Sequence, residues 1–259
     1  STTCGSRILG DFVATGTSSL LTRIAKAGAV TIGTSGLDSF ITLGTGTANF
    51  VNNSSNTATI GDFINLNASG GSTPTIAFSG TGGWLIDGDV RNTVTAVVVN
   101  GGLVSLGAGA NDGINTSGGI ITINTGGTLR NDQSNRIQNG QRVTVNAGGT
   151  YNLNGKSDVI GAISGAGAIT LGSATLTLDD MDGSTFSGAM AGSGGLTLRG
   201  NITAGVQTLS GAAANTYTGL TTISAGTLVL DKNASGINAI AGNISVTGGT
   251  LRWNESNQV

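Results

Sequence analysis

Hydrophobic and polar residues alternate in short bursts along this chain, and the bursts end on glycine. Ile121-Thr122-Ile123-Asn124-Thr125-Gly126-Gly127-Thr128-Leu129 sets the pattern: β-branched residues at every second position, a Gly pair, then a second short run. A period of two marks a half-buried β-strand, because successive side chains leave opposite faces of the backbone. The string returns as Val143-Thr144-Val145-Asn146-Ala147-Gly148-Gly149-Thr150-Tyr151. It returns again, one residue shorter at the turn, as Ile244-Ser245-Val246-Thr247-Gly248-Gly249-Thr250-Leu251. Thr221 to Leu228 and Val97 to Leu103 are looser copies.

Spacing converts the strings into an architecture. Val99 to Ile123 is 24 residues, Ile123 to Val145 is 22, and Ile223 to Val246 is 23. Leu171 and Leu198 fall between Val145 and Ile223 at steps of 26, 27 and 25. A unit of about 22–27 residues is too short for a propeller blade of about 40, and it fits one coil of a solenoid. The prediction is an all-β parallel β-helix (β-solenoid) with about 22–27 residues per rung. Its inward columns are Val, Ile, Leu and Ala, and its corners are Gly, which takes positive φ at little cost. Asn100, Asn124 and Asn146 follow a strand at the same place in successive units, which predicts a ladder of side-chain amides. Before residue 95 the strand signals at Ile32, Leu43, Ile60, Ile76 and Leu85 are less regular, as for the same solenoid with more variable loops. Ser18 to Ala29 reads instead as a short amphipathic helical turn, with Leu20, Leu21, Ile24 and Ala25 on one side and Gly28 closing it. Residues 1–30 are therefore expected to be an N-terminal segment and candidate cap, and 31–259 one continuous solenoid.

Composition narrows what such a rod can do. The 259 residues include 46 Gly, one Pro, one Cys and no His, with 9% charged and 4% aromatic. Without His there is no Ser-His-Asp set and no His-containing zinc site. Gly falls short of every third residue, which excludes collagen, and Cys4 alone makes no intrachain disulfide. A net charge of −2 beside 37% hydrophobic residues is not the balance of a charge-driven disordered chain. The 11 Lys and Arg are scattered, so nucleic acid is not an expected partner. The longest apolar run, Ala96 to Val99, is far below the ~20 residues of a transmembrane helix. Neither the ten-residue lipid-facing strands nor the aromatic girdles of an outer-membrane barrel are present. The chain opens at Ser1 without a basic and apolar leader, as a mature product or an internal stretch would.

Candidate chemistry is sparse. Asp179, Asp180 and Asp182 are the densest acidic group. Clustered carboxylates can act as general acid and base on polysaccharides, but no Lys or Arg is visibly paired with them in the sequence, and a solvated loop between rungs is the expected reading. Asp87 and Asp89 form a weaker acidic pair, without the calcium-binding Gly-Gly-x-Gly-x-Asp pattern. Thr-x-Thr pairs at Thr15/Thr17, Thr45/Thr47, Thr57/Thr59, Thr73/Thr75, Thr93/Thr95 and Thr175/Thr177 do not recur at the rung length, which argues against a flat ice-binding array. Trp84, Tyr151, Tyr217 and Trp253 are candidates for stacking on sugars, although single exposed aromatics need no explanation. Cys4 reads as a free thiol near the chain start, lacking the apolar neighbours of a lipidated cysteine. No catalytic, cofactor or metal residues are expected.

Two longer segments carry a family resemblance. Phe186 to Leu198 is the first, and Leu209-Ser210-Gly211-Ala212-Ala213-Ala214-Asn215-Thr216-Tyr217-Thr218-Gly219-Leu220-Thr221 running on to Leu230 is the second. Together they resemble the autotransporter-associated β-strand repeat, also called the passenger-associated transport repeat. Asn215 to Leu228 fits its approximate core N-T-Y-T-G-x-T-x-x-x-x-G-T-L, and Val159 to Gly167 resembles a companion unit. The resemblance covers about residues 150–255. It implies a right-handed β-helical passenger of a secreted or surface-displayed bacterial protein, and no single activity. The usual C-terminal translocating barrel does not follow, which suggests a piece of something longer.

The expected function is a non-enzymatic structural rod at the bacterial surface or outside the cell: a stalk, an adhesin scaffold or a self-assembling filament subunit. Its expected partners are other copies, end to end or lateral, neighbouring repeats of a longer chain, and surface glycans. A carbohydrate-active β-helix is the alternative, and an ice-binding protein a lesser one.

Overall fold

The computed structural model describes residues 46–61, 74–90, 94–107, 113–116, 118–180, 182–200, 205–233 and 235–259. It also describes the backbone of the strands Phe12–Ala14, Ser18–Arg23, Val30–Ile32, Ser39–Leu43 and Ile64–Ala68. Every regular element among the described residues is a β-strand, and the strands pair in parallel. The β-solenoid predicted from periodicity is the fold. Contacts group the chain into two compact units, Ser1–Gln138 and Asn139–Val259.

In the first unit each coil gives one strand to each of three faces. One face stacks Phe12–Ala14, Ser39–Leu43, Ile64–Ala68 and Asp89–Val90, continued by single bridges at Ile114 and Ile137. A second stacks Ser18–Arg23, Gly46–Asn52, Pro74–Ser79, Ala96–Val99 and Ile120–Ile123. The third stacks Val30–Ile32, Ala58–Ile60, Trp84–Ile86, Gly102–Leu106 and Gly127–Asn131. Parallel register turns the period of two into columns. Phe50, Phe78, Val99 and Ile123 are successive register partners, and all are fully buried. Phe50 and Phe78 pack with ring centroids 5.3 Å apart, and Trp84 meets both at 5.7 Å, so three aromatics fill the bore across two successive coils.

Turns, rather than strands, absorb the irregularity noted before residue 95. Register steps run from 18 residues, between Thr150 and Ala168, to 30, between Ser18 and Ala48, a wider range than the 22–27 expected. The expected helical turn at Ser18 to Ala29 is corrected: Ser18–Arg23 is a strand paired with Gly46–Asn52. An isolated helix of that length is marginal in water, whereas a neighbouring strand offers a ready ladder of hydrogen bonds. Residues 24–29 of that segment, and Cys4, lie outside the described residues. The corner reading of glycine holds at Gly102, where φ is +68° and a Cβ would come within 2.4 Å of the Gly82 carbonyl oxygen. The amide ladder forms as well, with Asn124 Nδ2 donating to Asn100 Oδ1 at 2.7 Å.

The second unit is built on the same plan. Asp158–Ile160, Thr175–Leu178, Gly195–Arg199, Thr221–Ala225 and Ile244–Val246 form one face. Ser184–Phe186, Val206–Gly211, Thr227–Lys232 and Thr250–Trp253 form another. Thr150–Asn152, Ala168–Gly172 and Ala189–Gly192 form a third, which stops being a sheet after Gly192. From there Asn215 to Thr218 lies against it without strand geometry, Thr216 N–H donating to Met190 O and Thr218 N–H to Gly192 O.

Removing a column member should cost much more than trimming the outer face. Phe78→Ala is expected to lose about 3–5 kcal/mol in urea unfolding. Val98→Ala, a half-buried outer position on the neighbouring strand, should lose under about 1 kcal/mol.

Candidate functional sites: the repeat corner and the aspartate loop

The residues after strand Val206–Gly211 form the corner that replaces the missing strand, and side chains supply the bonds that a ladder would give. Asn215 is buried; its Oδ1 accepts the Met190 N–H and its Nδ2 donates to the Ala239 carbonyl, both at 2.8 Å. One amide therefore joins the coil before it to the coil after it. Two residues on, the buried Tyr217 hydroxyl pairs with Thr221 Oγ1 at 2.8 Å inside the core. Burial pushes that phenol up to about 12, with the Thr221 bond opposing the shift. Gly219 lets two turns touch: a Cβ there would stand 2.3 Å from the Gly194 carbonyl oxygen. Leu228 is fully buried.

The aspartate loop is an ion-paired structure. Asp179 Oδ1 accepts the Gly140 N–H at 3.1 Å, and its Oδ2 lies 3.7 Å from Arg199 Nη2. Burial raises the pKa of this carboxyl above its ordinary value, opposed by the Gly140 bond and the Arg199 charge. Asp182 pairs with Arg142 and accepts the Ser184 hydroxyl at 3.2 Å. The expectation of a loop without cationic partners is thus corrected; Arg142 and Arg199 arrive from strands 40 and 20 residues upstream and downstream of Asp182 and Asp179. Asp180 is held by its backbone, its N–H donating to the Gly161 carbonyl at 3.1 Å. Asp87 likewise donates its backbone N–H to the Ile60 carbonyl at 2.8 Å; the side chain of Asp89 lies outside the described residues.

Three of the four aromatics considered for sugar stacking belong to the core. Trp84, Tyr151 and Tyr217 are buried, Tyr151 donating its hydroxyl to the buried Asp158 at 3.2 Å, whereas Trp253 is 60% exposed. Thr57/Thr59 and Thr175 lie on outward or half-buried positions, and the other Thr pairs fall wholly or partly outside the described residues.

Residues 204–230, which contain the Asn215 corner, match the passenger-associated transport repeat family. The chain is a β-solenoid that carries one such repeat. Over 192 residues it is 31% identical to the adhesin BmaC autotransporter of Brucella suis biovar 1 (strain 1330), an alignment covering 64% of this chain. The chain spans 5% of that relative's length. No solved structure matches it.

Just beyond the matched repeat lies a second buried device that sequence reasoning missed. Lys232 closes the strand Thr227–Lys232 and is fully buried, its Nζ donating to the Gly188 carbonyl at 3.1 Å. Gln258 clamps its backbone, accepting the Lys232 N–H at 2.9 Å and donating to its carbonyl at 3.0 Å. The signal was present: Leu228, Leu230 and Lys232 share one parity, so alternation sends the lysine inward. Gln207, the register partner of Leu228 on the preceding coil, is another such device, exchanging two bonds with the Ile163 backbone 44 residues away.

Asn215→Ala leaves two buried backbone groups unpaired and should cost about 1–3 kcal/mol for each. Thr218→Ala, on the exposed side of the same corner, should stay within about 0.5 kcal/mol in the same urea titration. Lys232 sets a pH dependence. Burial lowers its pKa from 10.5 to about 8, so the folded chain holds this proton less firmly than the unfolded chain. Protonation then costs folding free energy, fully below pH 8 and not at all above 10.5. The thermal midpoint should climb between about pH 8 and 10.5, and the climb should vanish in Lys232→Met.

Proposed function

We propose that this chain is a length of the exported passenger of a bacterial surface protein, acting there as a rigid, non-enzymatic adhesin scaffold. The observation that carries the reading is Asn215, whose side chain binds the coil on either side of it. A residue used in this way makes each repeat a unit meant for stacking on both faces. The similarity to an adhesin autotransporter supports display outside the cell. The ion-paired Asp179 and Asp182 support a structural role for the loop that otherwise suggests polysaccharide chemistry.

Self-association belongs to the same proposal. The coil carrying Ile244–Val246 and Thr250–Trp253 leaves Val246 49%, Trp253 60% and Val259 61% exposed. Apolar side chains along this coil are suited to packing against a further coil, whether a neighbouring repeat of a longer chain or a second copy.

Display of the chain on a non-adherent bacterium should raise attachment to epithelial cells above the empty display vehicle, and the purified chain should show concentration-dependent association in sedimentation velocity that Val246→Lys with Trp253→Lys abolishes. Attachment no better than the vehicle would sink the adhesin role. Release of reducing ends from a polysaccharide, lost when Asp179, Asp180 and Asp182 are all changed to Asn, would make the chain an enzyme instead.

A further inference from the structure

The third face of the first unit carries a groove of about 440 Å³ on its outer side, within the about 300–1,000 Å³ usual for small-ligand pockets. Its origin is a step in side-chain size. Thr59, Leu85, Ser105 and Arg130 are successive register partners on four coils, and all four line the groove. Val104 and Leu106 are fully buried on either side of Ser105, so alternation turns the serine to the outer face. A small residue there, between Leu85 and Arg130, leaves a notch two strand spacings wide, about 9.6 Å.

Ser105 lies at the floor of that notch. It is only 4% exposed, and alternation turns its hydroxyl toward the groove that it lines. Arg130 forms one wall and is held in place by Asp132, Nε to Oδ1 at 2.7 Å and Nη2 to Oδ2 at 3.1 Å. The fork is half-buried and its charges cancel locally. Donors, acceptors, the aliphatic Leu85 and the Ser105 hydroxyl thus converge without net charge.

We propose that this groove binds a neutral hexose unit of a glycan. The proposal rests on the adhesin-scaffold reading, which places the face where glycans are met. A hexose offers hydroxyls that donate and accept on its rim and C–H groups on its ring faces. Ser105 and the Arg130–Asp132 fork meet the first, and Leu85 meets the second. An anionic sugar fits worse, because Asp132 already neutralises Arg130, the one cation among the described residues that line the groove.

The test is saturation-transfer difference NMR on the full chain with lactose, maltose and mannobiose, and with sialyllactose as the anionic probe. At least one neutral disaccharide should bind. Ser105→Leu, which fills the notch, should weaken it about tenfold or more, the equivalent of one lost hydrogen bond to a charged network. Arg130→Met, which keeps the aliphatic stem, should weaken it similarly, and supplies a second variant if Ser105→Leu lowers the melting temperature. No binding by any neutral disaccharide, binding unchanged in both variants, or binding of sialyllactose alone would each overturn the proposal. Because the readout is purified chain in solution, those results leave cell attachment to decide the scaffold reading separately.

Discussion

Everything in this chain follows from the need of a parallel coil to hand its backbone hydrogen bonds to the coils above and below. The coils stand at the strand spacing of about 4.8 Å, so whatever occupies a position must tolerate a like residue directly over it. Aliphatic side chains do so easily, and Phe50, Phe78 and Trp84 do so by tilting against one another. The bore is narrow, which is why ten aromatic residues suffice for a chain of 259. The same closeness brings carbonyl oxygens within about 2.4 Å of where Cβ atoms would stand at Gly102 and Gly219. Much of the glycine content is therefore a matter of clearance as well as of φ.

Where the ladder is interrupted, buried polar side chains take it over. Asn215, Gln207 and Gln258 each complete bonds of a distant backbone segment. Leaving such groups unpaired in the interior is costly, so these amides also fix register: a slip of one residue would strand both their own atoms and the backbone they serve. Lys232 shows what such a position demands when a cation fills it, one carbonyl partner and a lowered affinity for its proton.

The sequence made the local rules legible and left the long-range ones hidden. Alternation and spacing disclosed the coil, and the Asn100–Asn124 ladder could be foreseen because both residues occupy the same place in a repeat. The Arg199 partner of Asp179 and the Arg142 partner of Asp182 could not, since only the winding brings residues 20 and 40 apart together. Ser18–Arg23 misled for a related reason: its two adjacent leucines suit a helix face, and the strand that recruits it begins at Gly46. Trp84, Tyr151 and Tyr217 were open to a surface reading because parity was not applied to them. The groove at Ser105 was invisible, since it depends on what stands one coil above and one below.

The two-sided bond of Asn215 also constrains how such a chain can change its length in the course of descent. Inserting or deleting part of a coil would leave Met190 or Ala239 facing a wrong neighbour, whereas adding or removing a whole coil restores an identical junction. Solenoids whose units touch only their neighbours accept that change with little disturbance elsewhere. Unequal recombination between repeats is then a natural route for lengthening or shortening the solenoid, and the corner asparagine acts as the proofreader of the joint.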